Sequence, residues 1–335
     1  MITAELNASG VTDQRLRAAY RRCRELNARH GQTYYLATKL LTPAQRPAVH
    51  ALYGFARLAD DVVDDVPPGT PLDQVAGRLC ELRRDLFTGL AQGHSQDPIL
   101  AAVVDTARRY QVPTDLFGDF MDSMRMDLET TSYPDRAALD RYVRGSAEVI
   151  GLQVLPVLGT AGPMQEAVPY AAALGKAFQL TNFLRDVAED LDRGRVYLPA
   201  DELAAFGVDT DLLRWCRVHQ RTDRRVRAAL ADQHAITRDV YRYARAGIAL
   251  LQPASRPCVS TAFTLYSEIL DRIEDLDFAV FAQRARVGQA RRLQVAVPGL
   301  LAALWARRGH RATVTVTDTA NAAERVGVAE VRGMG

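Results

Sequence analysis

Carboxylates gather twice along this chain in the same pattern. The first cluster is Asp60-Asp61-Val62-Val63-Asp64-Asp65, the second Asn182-Phe183-Leu184-Arg185-Asp186-Val187-Ala188-Glu189-Asp190, and each contains Asp-x-x-x-Asp. On a helix, oxygen ligands four residues apart stand one per turn on one side. That arrangement suits Mg²⁺, which takes a few carboxylates, keeps several waters and accepts phosphate oxygens. Mn²⁺ would serve as a substitute. Two such pairs facing one cavity would hold a diphosphate through the metal, because bare carboxylates repel the anion and the cation inverts the local field. A Lewis acid on a departing diphosphate, between apolar dry walls, leads to ionisation to an allylic cation.

Each pair ends a segment with helical periodicity. On a wheel of residues 51–65, Leu52, Phe55, Ala56, Leu58, Ala59, Val62 and Val63 fill one apolar arc. Asp60 and Asp64 border that arc in line with Tyr53 and Arg57, whereas Asp61 and Asp65 lie farther round and are expected to face solvent. An acidic helix end before Pro67-Pro68-Gly69 is the plain alternative. Electrostatics weighs against it: carboxylates at a helix C-terminus oppose the dipole at ~0.3–1 kcal/mol each. Like charges four apart add ~0.2–0.5 kcal/mol. On the second segment Gly175, Gln179, Asn182, Phe183, Asp186 and Asp190 form a stripe with apolar residues on both flanks. Such a stripe must look into a polar cavity, because unpartnered buried amides and carboxylates are costly; a satisfied buried network is the alternative. Met121, Met124, Val149, Ile150, Leu152, Val154, Leu155 and Val157 come from segments able to wall the cavity, most of them as ordinary core.

The elements that position these residues read as helices almost throughout. Strand-like alternation occurs only at Thr313–Thr317, and turns at Gly93, Pro113, Pro134, Gly162-Pro163, Gly194, Gly207 and Pro253 to Pro257 divide the chain. One all-α domain is expected, with residues 1–25 an N-terminal extension or first helix, 26–306 the helical domain and 307–335 a mobile tail. A net charge of +2 and basic clusters interleaved with Asp, Gln and apolar residues exclude a nucleic-acid surface. The four scattered cysteines form no CxxC pair, so neither a zinc site nor a disulfide framework is expected, and the chain fits a reducing cytoplasm. The polar N-terminus carries no signal-peptide pattern, and the most apolar stretches, Val149–Ala161 and Val295–Ala306, are too short to span a bilayer. Peripheral contact with a membrane stays open, and no motif sets an oligomeric state.

The motifs resemble the squalene/phytoene synthase family from about His30 to Arg292. Tyr53-Gly-Phe-Ala-Arg57-Leu-Ala-Asp60-Asp-Val-Val-Asp64 is similar to the family's first aspartate-rich segment, and Gln179-Leu-Thr-Asn182-Phe-Leu-Arg185-Asp186-Val-Ala-Glu-Asp190 to the second. Arg193-Gly-Arg195-Val-Tyr197-Leu-Pro199 is also a family pattern. The resemblance implies an isoprenoid-synthase helical bundle around a central cavity and head-to-head condensation of two prenyl diphosphates through a cyclopropylcarbinyl diphosphate. It implies metal binding by Asp60, Asp64, Asn182, Asp186 and Asp190, and roles at the reacting centre for Tyr53, Arg57, Arg185 and Tyr197. Substrate contacts are implied for His30, Gln32, Thr33, Gln179, Arg195 and Tyr266 beside Tyr53 and Arg57, with Arg284 a weaker candidate. His30-Gly31-Gln32-Thr33 falls where the family often has Ser-x-Ser, so Gly31 departs from the pattern and only Thr33 keeps a hydroxyl.

Gly145–Pro156 and Arg256-Pro257-Cys258 look most like bacterial phytoene synthases. That implies two geranylgeranyl diphosphates going to phytoene, the first committed step to carotenoids, without NADPH. A C30 sister enzyme using farnesyl diphosphate shares every metal ligand and is the leading rival. A cyclising terpene synthase or a non-catalytic assembly factor of the same fold stands farther off.

Overall fold

A computed structural model of the chain describes residues 2–67 and 69–306. Its helices are α1 (Ile2–Ala8), α2 (Gln14–His30), α3 (Gln32–Thr38), α4 (Arg46–Asp64), α5 (Leu72–Gln92), α6 (Pro98–Tyr110) and α7 (Asp115–Glu129). They continue with α8 (Arg136–Val143), a π-helical turn (Arg144–Glu148), α9 (Val149–Leu158), α10 (Met164–Asp192), α11 (Ala200–Ala204), α12 (Thr210–His219) and α13 (Arg224–Arg245). A 3₁₀ turn (Ala246–Leu250) leads to α14 (Arg256–Asp275), and α15 occupies 289–306. Among the described residues there is no strand, only isolated bridges such as Ser132 with Val196. The strand-like Thr313–Thr317 and the tail expected at 307–335 lie outside the described residues.

Local chemistry sets the helix starts. The side chains of Asp13, Asp97, Asp135, Asp209 and Asp223 each accept a hydrogen bond from a first-turn amide, satisfying donors that a helix leaves orphaned. Prolines fit the first turns of α4, α6 and α14, where no amide donor is needed. Gly93 ends α5 in the left-handed conformation.

α10 is the central helix, packed against α9, α13, α14 and the π turn. α2, α4, α6 and α7 form the core on one side; Phe55 there meets Phe117 and Phe120 at 5.7 and 5.3 Å between ring centroids. Leu6, Val11, Tyr20 and Cys23 belong to that same core, so the first 25 residues pack with α4 and α6. α13, α14 and the C-terminal half of α10 enclose a second core. Cys23, Cys216 and Cys258 are buried free thiols, and Cys80 is exposed. No helix of the described residues is long and apolar enough to cross a membrane.

Two glycines let α10 approach its neighbours closely. A Cβ on Gly175 would stand 2.4 Å from the Ala147 carbonyl oxygen, and one on Gly151 2.3 Å from that of Ala171. Backbone meets backbone at both crossings, and the cavity lies beside them.

Candidate active site

A cavity of about 320 Å³ runs between α3, α4, α9, α10, α14 and the two irregular turns, within the usual range for ligand pockets. Its polar end carries Tyr53, Asp60, Gln179 and Asn182; the remainder is lined mainly by Ala, Val, Leu, Ile, Tyr and Phe. Lining residues on α10 extend from Ala167 to Asn182, a rise of about 22 Å at ~1.5 Å per residue. Of the walls proposed from sequence only Ile150, Val154 and Leu155 face the space. Met121, Met124, Val149, Leu152 and Val157 are core instead, members of the buried cluster that also holds Leu52, Phe55 and Phe117. Tyr34 and Phe178 are aromatic walls, 6.1 Å apart between centroids.

Of the predicted ligands Asp60 and Asn182 line the cavity, and the two carboxylate clusters are linked through arginines: Arg193 and Arg195 donate to Asp64 and act on Asp190. Asp60 lines the cavity, and burial followed by the charge of Asp64 pushes its carboxyl up to about 7. Asp190 is likewise pushed up to about 7, by burial and then by Asp186. Asp64 sits at the rim, accepting from Arg195 at 3.0 Å and Arg193 at 3.4 Å. Asp186 accepts from Arg185 at 2.6 and 2.7 Å and from the Arg284 Nε at 2.9 Å. Asn182 donates to Gln179 at 3.4 Å, while its Oδ1 is buried without a partner. Among the described residues no three His, Cys, Asp or Glu side chains converge closely enough to hold a metal by themselves.

Sequence reasoning set Asp61 and Asp65 aside together, and the structure separates them. Asp61 forms an ion pair with Arg57 one turn back, fixing that guanidinium beside Tyr53, and Asp65 is exposed beyond the helix end. Arg57 points its Nε into a buried place without a partner. Phe183, assigned to the polar stripe, turns away from the cavity and stacks on Tyr197 at 4.3 Å.

The α2–α3 junction covers Tyr53. A Cβ on Gly31 would lie 2.7 Å from the Tyr53 ring, so its place suits glycine through close approach. His30 and Gln32 are exposed, Thr33 is half-buried, and Gln32 accepts from Arg292 at 2.9 Å. Tyr266 is buried, stacked on Phe178 at 4.3 Å and 5.2 Å from Tyr34. Burial pushes the Tyr53 phenol up to about 12, against the pull of Arg57.

Asp127 escaped sequence reasoning. It accepts from Tyr142 at 2.8 Å and Tyr197 at 3.1 Å, and its carbonyl accepts from Arg195 at 3.1 Å. Burial raises its carboxyl to about 6 despite the two phenol hydrogen bonds and Arg195. The available signal was positional: Asp127 continues the buried α7 line of Phe120, Ser123 and Met124.

Comparisons with known proteins agree with this architecture. The chain matches the squalene/phytoene synthase family over residues 27–291. It is 37% identical over 281 residues to a phytoene synthase of Arthrospira platensis, covering 80% of this chain and 88% of that one. A chloroplastic phytoene synthase of Daucus carota is 39% identical over 282 residues, covering 83% and 69% of the two chains. Among solved structures, a dehydrosqualene synthase in complex with ligand superposes with a TM-score of 0.77 at 26% identity, covering 85% of this chain and 96% of that one. Squalene synthase HpnC from Alicyclobacillus acidocaldarius shares the fold, with a TM-score of 0.71 at 23% identity and 81% and 98% covered. An apolar cavity with Asp60 and Asn182 at its polar end, in an isoprenoid-synthase bundle, agrees with the match in sequence: the chain is a prenyltransferase-type enzyme and belongs to the squalene/phytoene synthase family.

Proposed function

We propose that the protein joins two geranylgeranyl diphosphates head to head and converts the cyclopropyl (prephytoene) diphosphate to phytoene, opening carotenoid synthesis. The observation that carries this reading is the cavity itself: one polar end, then an apolar channel following α10 for about 22 Å. That is the scale of an extended chain of four isoprene units. The curated relatives are phytoene synthases, which supports the same substrate.

The residues at the polar end fit a divalent cation. An orphaned buried amide oxygen on Asn182 and carboxyls raised by desolvation and like charge at Asp60 and Asp190 are stabilised by a cation. Asp60, Asp64, Asn182, Asp186 and Asp190 would hold Mg²⁺, or Mn²⁺ in its place. When bound, the ion would supply Lewis-acid polarisation of the diphosphate oxygens.

The protein's own groups account for the rest. Arg57, Arg185 and Arg195 border the carboxylates and would receive the diphosphate by charge-assisted hydrogen bonds. The Tyr53 phenol stays protonated at neutral pH and would donate to a substrate oxygen. Asp127 holds the Tyr142 and Tyr197 hydroxyls, fixing the geometry of the Tyr197 side. Gln179 lines the polar end of the cavity and would border the reacting carbons, and Tyr266 backs Phe178 and Tyr34. Those rings present π faces to a cationic chain, and the apolar walls keep water from quenching it. Over the whole reaction two diphosphates leave and two protons are lost, one in each half, so no reductant enters the balance.

Asp60→Ala and Asp186→Ala are expected to abolish product while leaving the helical circular dichroism signal intact. Undiminished hydrocarbon formation by either variant in a labelled-substrate assay would sink the carboxylate assignment.

A further inference from the structure

The outermost helix is built inside out. On α15 the small residues Ala296, Gly299 and Ala303 face the protein, and a Cβ on Gly299 would lie 2.7 Å from the Thr261 hydroxyl and 3.0 Å from Leu40. The large apolar residues face away: Leu293, Val297, Leu300, Leu301, Leu304 and Trp305 are all exposed, Trp305 by 80% and Leu301 by 65%. At 100° per residue they fall on one continuous side of the helix. A contiguous apolar patch of this kind marks an interaction surface.

Charge indicates what covers it. From Asp277 to Asp318 the sequence contains no carboxylate between those two residues, but it contains Arg284, Arg286, Arg291, Arg292, Arg307, Arg308 and Arg311. Arg284 and Arg291 are engaged by Asp186 and Glu268, and Arg286 is exposed. An apolar face with a Trp and flanking arginines matches an anionic lipid surface. The inner face of α15 also touches the cavity wall: Ala303 packs in one cluster with Ala37, Leu41, Cys258, Val259 and Ala262, all of which line the cavity.

We propose that α15 lies in the interface of an anionic bilayer, placing the wall formed by α3 and α14 against the membrane. The docking rests on this helix and the arginines on either side of it in the sequence; only its purpose, passing a hydrocarbon into lipid, depends on the proposed reaction.

The test is flotation of the full chain with vesicles of phosphatidylcholine alone or mixed with phosphatidylglycerol. The protein is expected to float with the anionic vesicles and to release as salt is raised. Leu301→Asp with Trp305→Asp should lower partitioning at least about tenfold, with unchanged circular dichroism and unchanged turnover of detergent-dispersed substrate. The chain has two tryptophans, so a Trp215→Phe protein reports on Trp305 alone. Its emission should shift to the blue on anionic vesicles and be quenched by brominated lipid. Equal flotation of the double variant overturns the proposal. Trp305 emission indifferent to vesicles also overturns it, whether a second copy or residues 307–335 cover the face; a dimer in sedimentation that the double variant loses would identify the former.

Discussion

Asp60 and Asp190 hold protons more tightly in the folded chain than carboxylates do in water, both pushed up to about 7 from 3.8. The folded state therefore binds more protons than the unfolded state between those values, and stability falls as pH rises through that window. Metal-free protein should melt at lower temperature near pH 7 than near pH 5, and Asp60→Asn should flatten the slope in a calorimetric pH series. Protons compete with a cation for the same oxygens, so Mg²⁺ affinity measured by titration should rise over the same window. A melting point that climbs toward neutral pH would contradict this account of the cavity's polar end. At Gly31, the close approach to Tyr53 predicts that Gly31→Ala tilts the ring and lowers kcat about tenfold, the cost of misplacing a positioned group. Steady-state kinetics beside a thermal melt would separate that from unfolding. Spacing made most of these residues legible, because Asp60, Asn182, Asp186 and Asp190 break the apolar rule one turn apart. Asp127 was not, since a lone carboxylate on a helix that also carries Asp115, Asp119 and Asp122 has no distinguishing pattern.

Helices were legible wherever a cap or a break marks them, as at Asp97-Pro98 and Gly93. What periodicity conveys is burial, not the nature of the buried space. Val149 and Ile150 are adjacent and equally apolar, yet one meets core and the other a cavity. Neighbours on a helix point about 100° apart. Which of them meets the open space depends on how α9 sits against α10, where the preceding π turn at Arg144–Glu148 puts Ala147 against Gly175; such turns recur at functional sites. Glycines inside helices carry an ordinary propensity cost, and here the return is backbone contact. Gly175→Ala, forcing a methyl against a carbonyl, should destabilise the protein by about 1–3 kcal/mol in urea titration. An unchanged midpoint would mean that α10 and the π turn are not locked together as described.

At the scale of the molecule, charge and hydrophobicity are sorted along one axis. Arginines and carboxylates face each other at one end of the cavity, with salt bridges such as Arg195–Asp64 and Arg284–Asp186 crossing between segments distant in sequence. The apolar channel extends from there beneath α3 and α14, toward the side where α15 shows its large residues outward. That sorting suits a reaction that takes charged, chain-bearing substrates and ends in a hydrocarbon. The metal grammar alone is shared by enzymes of different chain length, so substrate choice is a property of the whole cavity. The most direct measurement is product identity: purified protein with Mg²⁺ and no NADPH, given labelled geranylgeranyl or farnesyl diphosphate, with the hydrocarbons identified by mass spectrometry. The account predicts phytoene from geranylgeranyl diphosphate. Only a C30 or cyclopropyl product, with none from the geranylgeranyl substrate, would contradict it.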